Sequence, residues 1–345
     1  MALLGEVKPV EHGGSIETAR RLFPKAPEPI LDLSTGINPH SYPLFDLPAT
    51  TLTRLPEPGA ARKLAEVAAA AYRVPSAVHV VPAPGTQILL PRVASLVAPG
   101  TALVLGPTYR EHARAAAIAG HAVTEVADFA ALADADLAVV VNPNNPDGRI
   151  VSRENLLGLA AHLRKKGGLL VVDEAFMDVG PRAESLAGDV VAGGVVVLRS
   201  FGKFFGLAGV RLGFALADSK TAALLSLQLG PWSVAGPALD YGLKALADTA
   251  WQDAVRARLT DGAERLDALF SSAGVSVKGG TSLFRHIDLA SASDLFQALG
   301  RQGILLRRFA DRPSQLRCGL PGSEAEWSRL EAALKTWRNE GEPRS

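Results

Sequence analysis

Five short apolar runs constrain this chain more than any other feature. They span residues 78–81, 102–105, 137–141, 169–172 and 195–198. Runs of this kind, without polar alternation, read as strands buried on both faces. Between them lie patterns of helical period, at 60–72, 86–96, 110–119 and 153–165. Strands alternating with helices predict an α/β fold: a large, mostly parallel sheet with helices on both faces. Ligands on such sheets bind at the carboxyl ends of the strands. The residues just beyond the runs are therefore the first candidates for chemistry.

The last run opens into Ser200-Phe201-Gly202-Lys203-Phe204-Phe205-Gly206-Leu207-Ala208-Gly209-Val210-Arg211. One lysine stands there among glycines and aromatics. Apolar surroundings strip an ammonium of hydration and make the neutral amine easier to reach. A neutral amine can attack an aldehyde and form a Schiff base. Arg211, eight residues on, offers a fork suited to a phosphate, and Ser200 adds a hydroxyl. Pyridoxal phosphate (PLP) is an aldehyde that carries a phosphate. Taken alone, Lys203 reads equally well as a salt-bridged lysine at a strand end.

The other strand ends carry words of the same kind. Pro84-Gly85-Thr86-Gln87 joins a strand to a helix, where glycine lets the backbone approach a ligand and the first N–H groups face an anion. Tyr109 follows Gly106-Pro107-Thr108 and can stack on a flat heteroaromatic ring. In Asn142-Pro143-Asn144-Asn145-Pro146 the two prolines fix the backbone and leave the asparagines to point; Asn145 can donate to a phenolate oxygen. Asp173 ends the fourth run, and a carboxylate at that depth needs a partner. A protonated pyridine nitrogen would be one and would keep the ring an electron sink. Asn145, Asp173, Lys203 and Arg211 follow one another at intervals of 28, 30 and 8 residues.

That order, over roughly residues 55–230, resembles the class I/II aminotransferases of fold type I. The resemblance implies PLP as cofactor, with Lys203, Asp173 and Asn145 as catalytic residues. It implies cofactor contacts from Gly85, Thr86, Gln87, Tyr109, Asn145, Asp173, Ser200, Lys203 and Arg211. Arg317, in Leu316-Arg317-Cys318-Gly319, resembles the family's C-terminal arginine for an anionic substrate group. A homodimer is also implied. The chain departs from the family at Arg54-Leu55-Pro56-Glu57-Pro58, where many relatives carry a tyrosine that reaches the partner's cofactor phosphate. Leu55 makes no such hydrogen bond.

Two N-terminal words narrow the resemblance. His12-Gly13-Gly14 and Asp32-Leu33-Ser34-Thr35-Gly36-Ile37-Asn38-Pro39 resemble the threonine-phosphate decarboxylase branch, which serves cobalamin biosynthesis and stands close to histidinol-phosphate aminotransferase. The branch implies a substrate with two anions. Its substrate-binding residues would be His12, Gly13, Asn38 and Arg317, with Arg285 and Arg307 as further candidates. Histidinol-phosphate or another amino-acid transamination is the alternative, since the same cofactor residues serve both.

Past Pro231 one long helix is expected at 237–272, then short strands and helices at 283–289, 292–299, 304–307, 315–317 and 324–337. The expected division is an N-terminal arm (1–50) packing on the small domain and the active site, a large PLP-binding domain (51–232) and a small α+β domain (233–345). The arm's apolar words favour a segment tied to other surfaces. Net charge is +1 with 21% charged residues, which gives no electrostatic footprint for nucleic acid or a membrane surface. No apolar run approaches the ~18 residues of a membrane helix, and residues 1–10 lack a signal-peptide core. One cysteine fits a reducing compartment, so a cytoplasmic protein is expected. No metal site is read. A PLP-fold sensor fused to a DNA-binding module lacks room and charge here, and no G-x-G-x-x-G word opens a helix for a dinucleotide.

Overall fold

The computed structural model describes residues 12–341. Contacts divide them into two units. Ser41–Asn145 and Arg149–Gln252 make the larger; the residues through His40, Pro146–Gly148 and those from Asp253 make the smaller.

The larger unit is built on seven strands: β1 (Val80–Ala83), β2 (Thr101–Leu105), β3 (Ala122–Val126), β4 (Leu137–Val141), β5 (Leu169–Asp173), β6 (Val195–Ser200) and β7 (Gly213–Leu216). Their order is β1-β7-β6-β5-β4-β2-β3. β7 pairs antiparallel with β1 and β6, and the other pairings are parallel. β4 and β5 are buried at every position, as strands covered on both faces must be. Because β7 runs the other way, its start lies at the edge where β1, β2, β4, β5 and β6 finish. That edge collects Gly85, Tyr109, Asn145, Asp173, Lys203 and Arg211.

Several sequence expectations need correction here. β3 has no counterpart among the apolar runs: Ala-Val-Thr-Glu-Val is interrupted by Thr124 and Glu125 and is largely exposed, because it is the sheet's edge. β7, four residues long, likewise has no counterpart among the five runs. The helix expected at 86–96 is a 3₁₀ turn, Thr86–Ile88, followed by a helix, Leu89–Ala94. The helix expected at 237–272 is two, Gly236–Ala247 and Thr249–Ser272. Asp248 breaks it by leaving helical angles and accepting the Trp251 N–H at 3.0 Å, which caps the second helix. The units also part after Gln252 and not at 232. Helix Gly236–Ala247 packs on helix Pro58–Tyr72 so closely that a Cβ at Gly242 would stand 2.8 Å from a Leu64 methyl. Pro231 marks a loop inside the larger unit.

The smaller unit holds a four-stranded antiparallel sheet ordered Arg307–Phe309, Arg312–Gly319, Phe284–Asp288, Val277–Thr281. A short parallel pair joins Leu31–Asp32 to Ile304–Leu305. Arg329 holds the same segment by donating to the carbonyls of Pro29, Pro27 and Gly303. Among the described residues no helix is long and apolar enough to cross a membrane.

Candidate active site

The turn after β1 is shaped by Gly85, which has φ +83°, a left-handed conformation that favours glycine. A Cβ there would lie 2.7 Å from Arg211 Nη2. The guanidinium thus rests on the bare backbone of the turn. Arg211 itself is exposed and sits at φ 56°, a costly angle for a residue with a side chain. Its Nη1 donates to Ala208 O at 3.1 Å. A concave turn with a cation against it could cradle a phosphate.

Lys203 is half-buried in the short helix Phe201–Phe204 that follows β6. Behind it, Phe201 stacks on Phe205 (4.4 Å between centroids) and Phe205 on Trp251 (5.7 Å), so the turn is held by an aromatic wall. Its Nζ lies 5.9 Å from the centre of the Phe176 ring. Ser200 occupies the cap position without using its hydroxyl as a cap.

Asp173, at the end of β5, is buried. Its Oδ1 accepts the Ala175 N–H at 3.0 Å, and its Oδ2 lies 2.8 Å from His112 Nε2. His112 was missed in the sequence. The available signal was its position three residues after Tyr109, at the start of helix Glu111–Ile118. Tyr109 OH donates to Gln87 Oε1 at 3.2 Å, and Gln87 Nε2 donates to Glu111 Oε2 at 2.7 Å. Gln87 therefore braces the tyrosine ring.

The asparagine loop does not leave all its side chains to point. Asn142 exchanges two hydrogen bonds with the Val151 backbone (2.9 and 3.0 Å), and Asn144 donates to Pro107 O at 3.0 Å while accepting from Thr108 Oγ1 at 2.6 Å. These staples fix the loop, and Asn145 stands half-buried between them.

The smaller unit carries the remaining candidates. His12-Gly13-Gly14 folds onto Ser34: the Gly14 N–H donates to Ser34 Oγ at 2.7 Å, and a Cβ at Gly13 would meet Ser34 O at 2.6 Å. Arg317 is buried, donates to Ser34 O at 2.9 Å and lies 5.0 Å from the centre of the Phe284 ring. Asn38 is buried and accepts the His40 N–H at 2.8 Å. A cavity of about 360 Å³ is lined by His12, Arg21, Ser34, Phe296, Arg307 and Arg308, and no carboxylate is among its described lining residues. Arg285 is not with them. It forms a two-pronged pair with Asp267 (2.7 and 3.0 Å) and donates to Thr281 O, so it serves the sheet.

An amine, a carboxylate, an amide and a phosphate cradle on one sheet edge fit a ring that bears an aldehyde, a basic nitrogen, a phenolic oxygen and a phosphate. The chain belongs to the aminotransferase class I and II family, whose model matches residues 51–334. It is 42% identical to a threonine-phosphate decarboxylase of Pseudomonas aeruginosa, over 94% of this chain and 97% of that protein. It is 44% identical to a threonine-phosphate decarboxylase of Sinorhizobium sp, over 94% and 98%. Among solved structures it superposes on histidinol-phosphate aminotransferase from Sinorhizobium meliloti in complex with pyridoxal-5'-phosphate, with a TM-score of 0.80 at 20% identity over 99% and 98% of the two chains.

Proposed function

We propose that this protein is a PLP-dependent lyase that releases CO2 from L-threonine O-3-phosphate and yields (R)-1-amino-2-propanol O-2-phosphate, a step of cobalamin biosynthesis. The observation that carries the reading is the likeness to two threonine-phosphate decarboxylases over 94% of this chain.

When bound, PLP supplies an electron sink for the pair left on Cα as a bond there breaks. Lys203 would hold the aldehyde carbon. Asp173 would keep a proton on the ring nitrogen, Asn145 would donate to the phenolic oxygen, and Tyr109 would cover the ring face. Gly85, Thr86, Gln87, Ser200 and Arg211 would receive the phosphate. Lys203, freed by the incoming amino group, would return a proton to Cα after the bond to the carboxylate breaks and CO2 leaves. His12, Gly13, Asn38 and Arg317 would receive the substrate's two anions, with the basic cavity beside His12 as the phosphate's candidate place. Where those anions are held decides whether the carboxylate or the hydrogen is lost from Cα. Retention of the carboxylate and loss of the hydrogen would make the enzyme an aminotransferase, the alternative.

The protein is read as a cytoplasmic homodimer acting on a small phosphorylated amino acid. Leu44, Leu52, Leu55 and Trp232, between 57% and 76% exposed on the larger unit, suit a covered apolar face. Cys318 is unpaired and buried. A monomer in sedimentation with full activity would remove the dimer.

The deciding experiment measures CO2 release from threonine phosphate beside amino transfer to a keto acid. CO2 release should dominate, and unphosphorylated threonine should react poorly. Equal rates for the two compounds, or faster amino transfer, would replace the decarboxylase reading by the aminotransferase one. Borohydride should fix the cofactor to Lys203 and abolish the visible band; attachment at another lysine would overturn the cradle.

A further inference from the structure

β5 and β6 end side by side, with Asp173 in register with Leu198, so Glu174 and Arg199 come next on neighbouring strands. Successive strand residues point to opposite faces. Asp173 meets His112, and Glu174 meets Arg199 on the other side. Arg199 is only 5% exposed; its Nη1 donates to Glu174 Oε2 at 3.0 Å and its Nη2 to Asp178 Oδ1 at 2.5 Å. The guanidinium also lies 4.4 Å from the centre of the Tyr72 ring. Glu174 is completely buried and accepts in addition from Ser185 Oγ (2.6 Å) and the Leu186 N–H (2.8 Å).

One cation thus bridges two carboxylates away from water. Such a group is a poor device for stability, because apolar residues of like volume do as well or better. Its placement suggests another use. The two carboxylates bracket Phe176, whose ring lies below the Lys203 amine, and the first of them follows Asp173 directly. Arg199 stands four residues before Lys203 on the strand that leads into the lysine turn. A planar fork can hold two acceptors at fixed angles, and a lysine cannot.

We propose that Arg199 is a positioning residue: it locks the segment bearing Asp173 and Phe176 to the strand bearing Lys203. It touches neither substrate nor cofactor. The inference rests on the roles given above to Asp173 and Lys203.

Arg199→Lys keeps the charge and loses one arm of the bridge. With the cofactor loaded, its KM for threonine phosphate should stay near the parent's while kcat falls about tenfold. The pH midpoint of its visible band should move by about half a unit or more, since the carboxylate and amine beside the chromophore shift together. A triple variant, Arg199→Met with Glu174→Gln and Asp178→Asn, removes every charge of the bridge. It should recover the parent's thermal stability and still show the lowered kcat and displaced midpoint. A folded Arg199→Lys with the parent's kcat and midpoint would overturn the proposal, as would a triple variant that regains both. Should Arg199→Lys not fold, the triple variant decides alone. Borohydride labelling of the parent separates the two readings: label on a lysine other than Lys203 removes the cradle, whereas label on Lys203 with parent-like variants removes only the role of Arg199.

Discussion

The cradle of the larger unit and the basic face of the smaller one are assembled in opposite ways. The cradle's residues come from the ends of neighbouring strands, so the sheet itself sets their spacing. Behind three of them stands a dedicated support: His112 behind Asp173, Gln87 behind Tyr109, the aromatic wall behind Lys203. The basic face draws on residues near 12–38, 307–308 and 317, joined by a two-residue strand pair and the Arg317 contact with Ser34. On the reading proposed above, the cofactor residues need one fixed geometry, which a rigid sheet edge can provide. On the same reading the loops and arginine forks of the smaller unit would receive the substrate's anions, and where they hold them would select the bond that breaks.

The sharpest break of this comparison is Asp173→Asn. An amide cannot keep the ring nitrogen protonated, so the electron sink is lost. Turnover should fall by about 10²–10³, the scale for removing one preorganised electrostatic partner. Cofactor retention should change little, since Lys203, Arg211 and Thr86 remain. Equal turnover for variant and parent would show that Asp173 does not serve the ring nitrogen. Arg317→Ala tests the other side. An arginine–anion contact shielded from water is worth ~1.5–3 kcal/mol, so kcat/KM for threonine phosphate should fall roughly ten- to hundredfold. The cofactor's visible band should be unaltered. A changed band with unchanged kcat/KM would assign Arg317 to the cradle and erase the distinction.

The same contrast explains what could be read in the chain. Continuous apolar runs mark buried parallel strands, and ligand residues stand where such runs end. Hence Gly85, Tyr109, Asn145, Asp173 and Lys203 were legible as candidates, and β4 and helix Arg153–Lys165 have the predicted bounds. β3 was not, because an edge strand needs no apolar run. His112 and Arg199 were not, because each acts through a contact across strands or onto a helix, and no local pattern records such a partner. Asp248 reads as an ordinary helix residue until Tyr42 OH and the Trp251 N–H are found on its carboxylate. In the smaller unit the glycines of His12-Gly13-Gly14 were visible, but their reason, the approach to Ser34, lies 20 residues away. Arg285 and Arg307 look alike as arginines; only the fold separates the one paired with Asp267 of helix Thr249–Ser272 from the one opposite Arg317.

The smallest expected effect concerns pH, and here too the units differ. His286 is buried across the strand pair from Arg317. Burial holds its pKa below the ordinary 6.5, and Arg312 adds to this, while Gln315, Asp147 and Asp288 oppose it. A depressed folded pKa means that the fold prefers the neutral ring. That contribution is complete above 6.5 and is lost as pH falls through the folded value. His40 is shifted the same way by burial and by Arg258, against Glu326. In the larger unit Glu174 has the opposite sign: burial raises its pKa against the pull of Arg199, Ser185 and the Leu186 N–H. Its contribution is present at low pH and lost as pH rises through the raised value. The parent's Tm should therefore decline as pH falls below 6.5, and His286→Asn should flatten that decline by no more than about 3 °C, with His40 supplying the remainder. Glu174→Gln should leave the decline as steep or make it steeper, because it removes the opposing contribution. Thermal unfolding followed by circular dichroism between these conditions reads both variants. If Glu174→Gln flattened the acid side as much as His286→Asn, the pH response would belong to the larger unit, and the assignment of acid sensitivity to the face around Arg317 would fall.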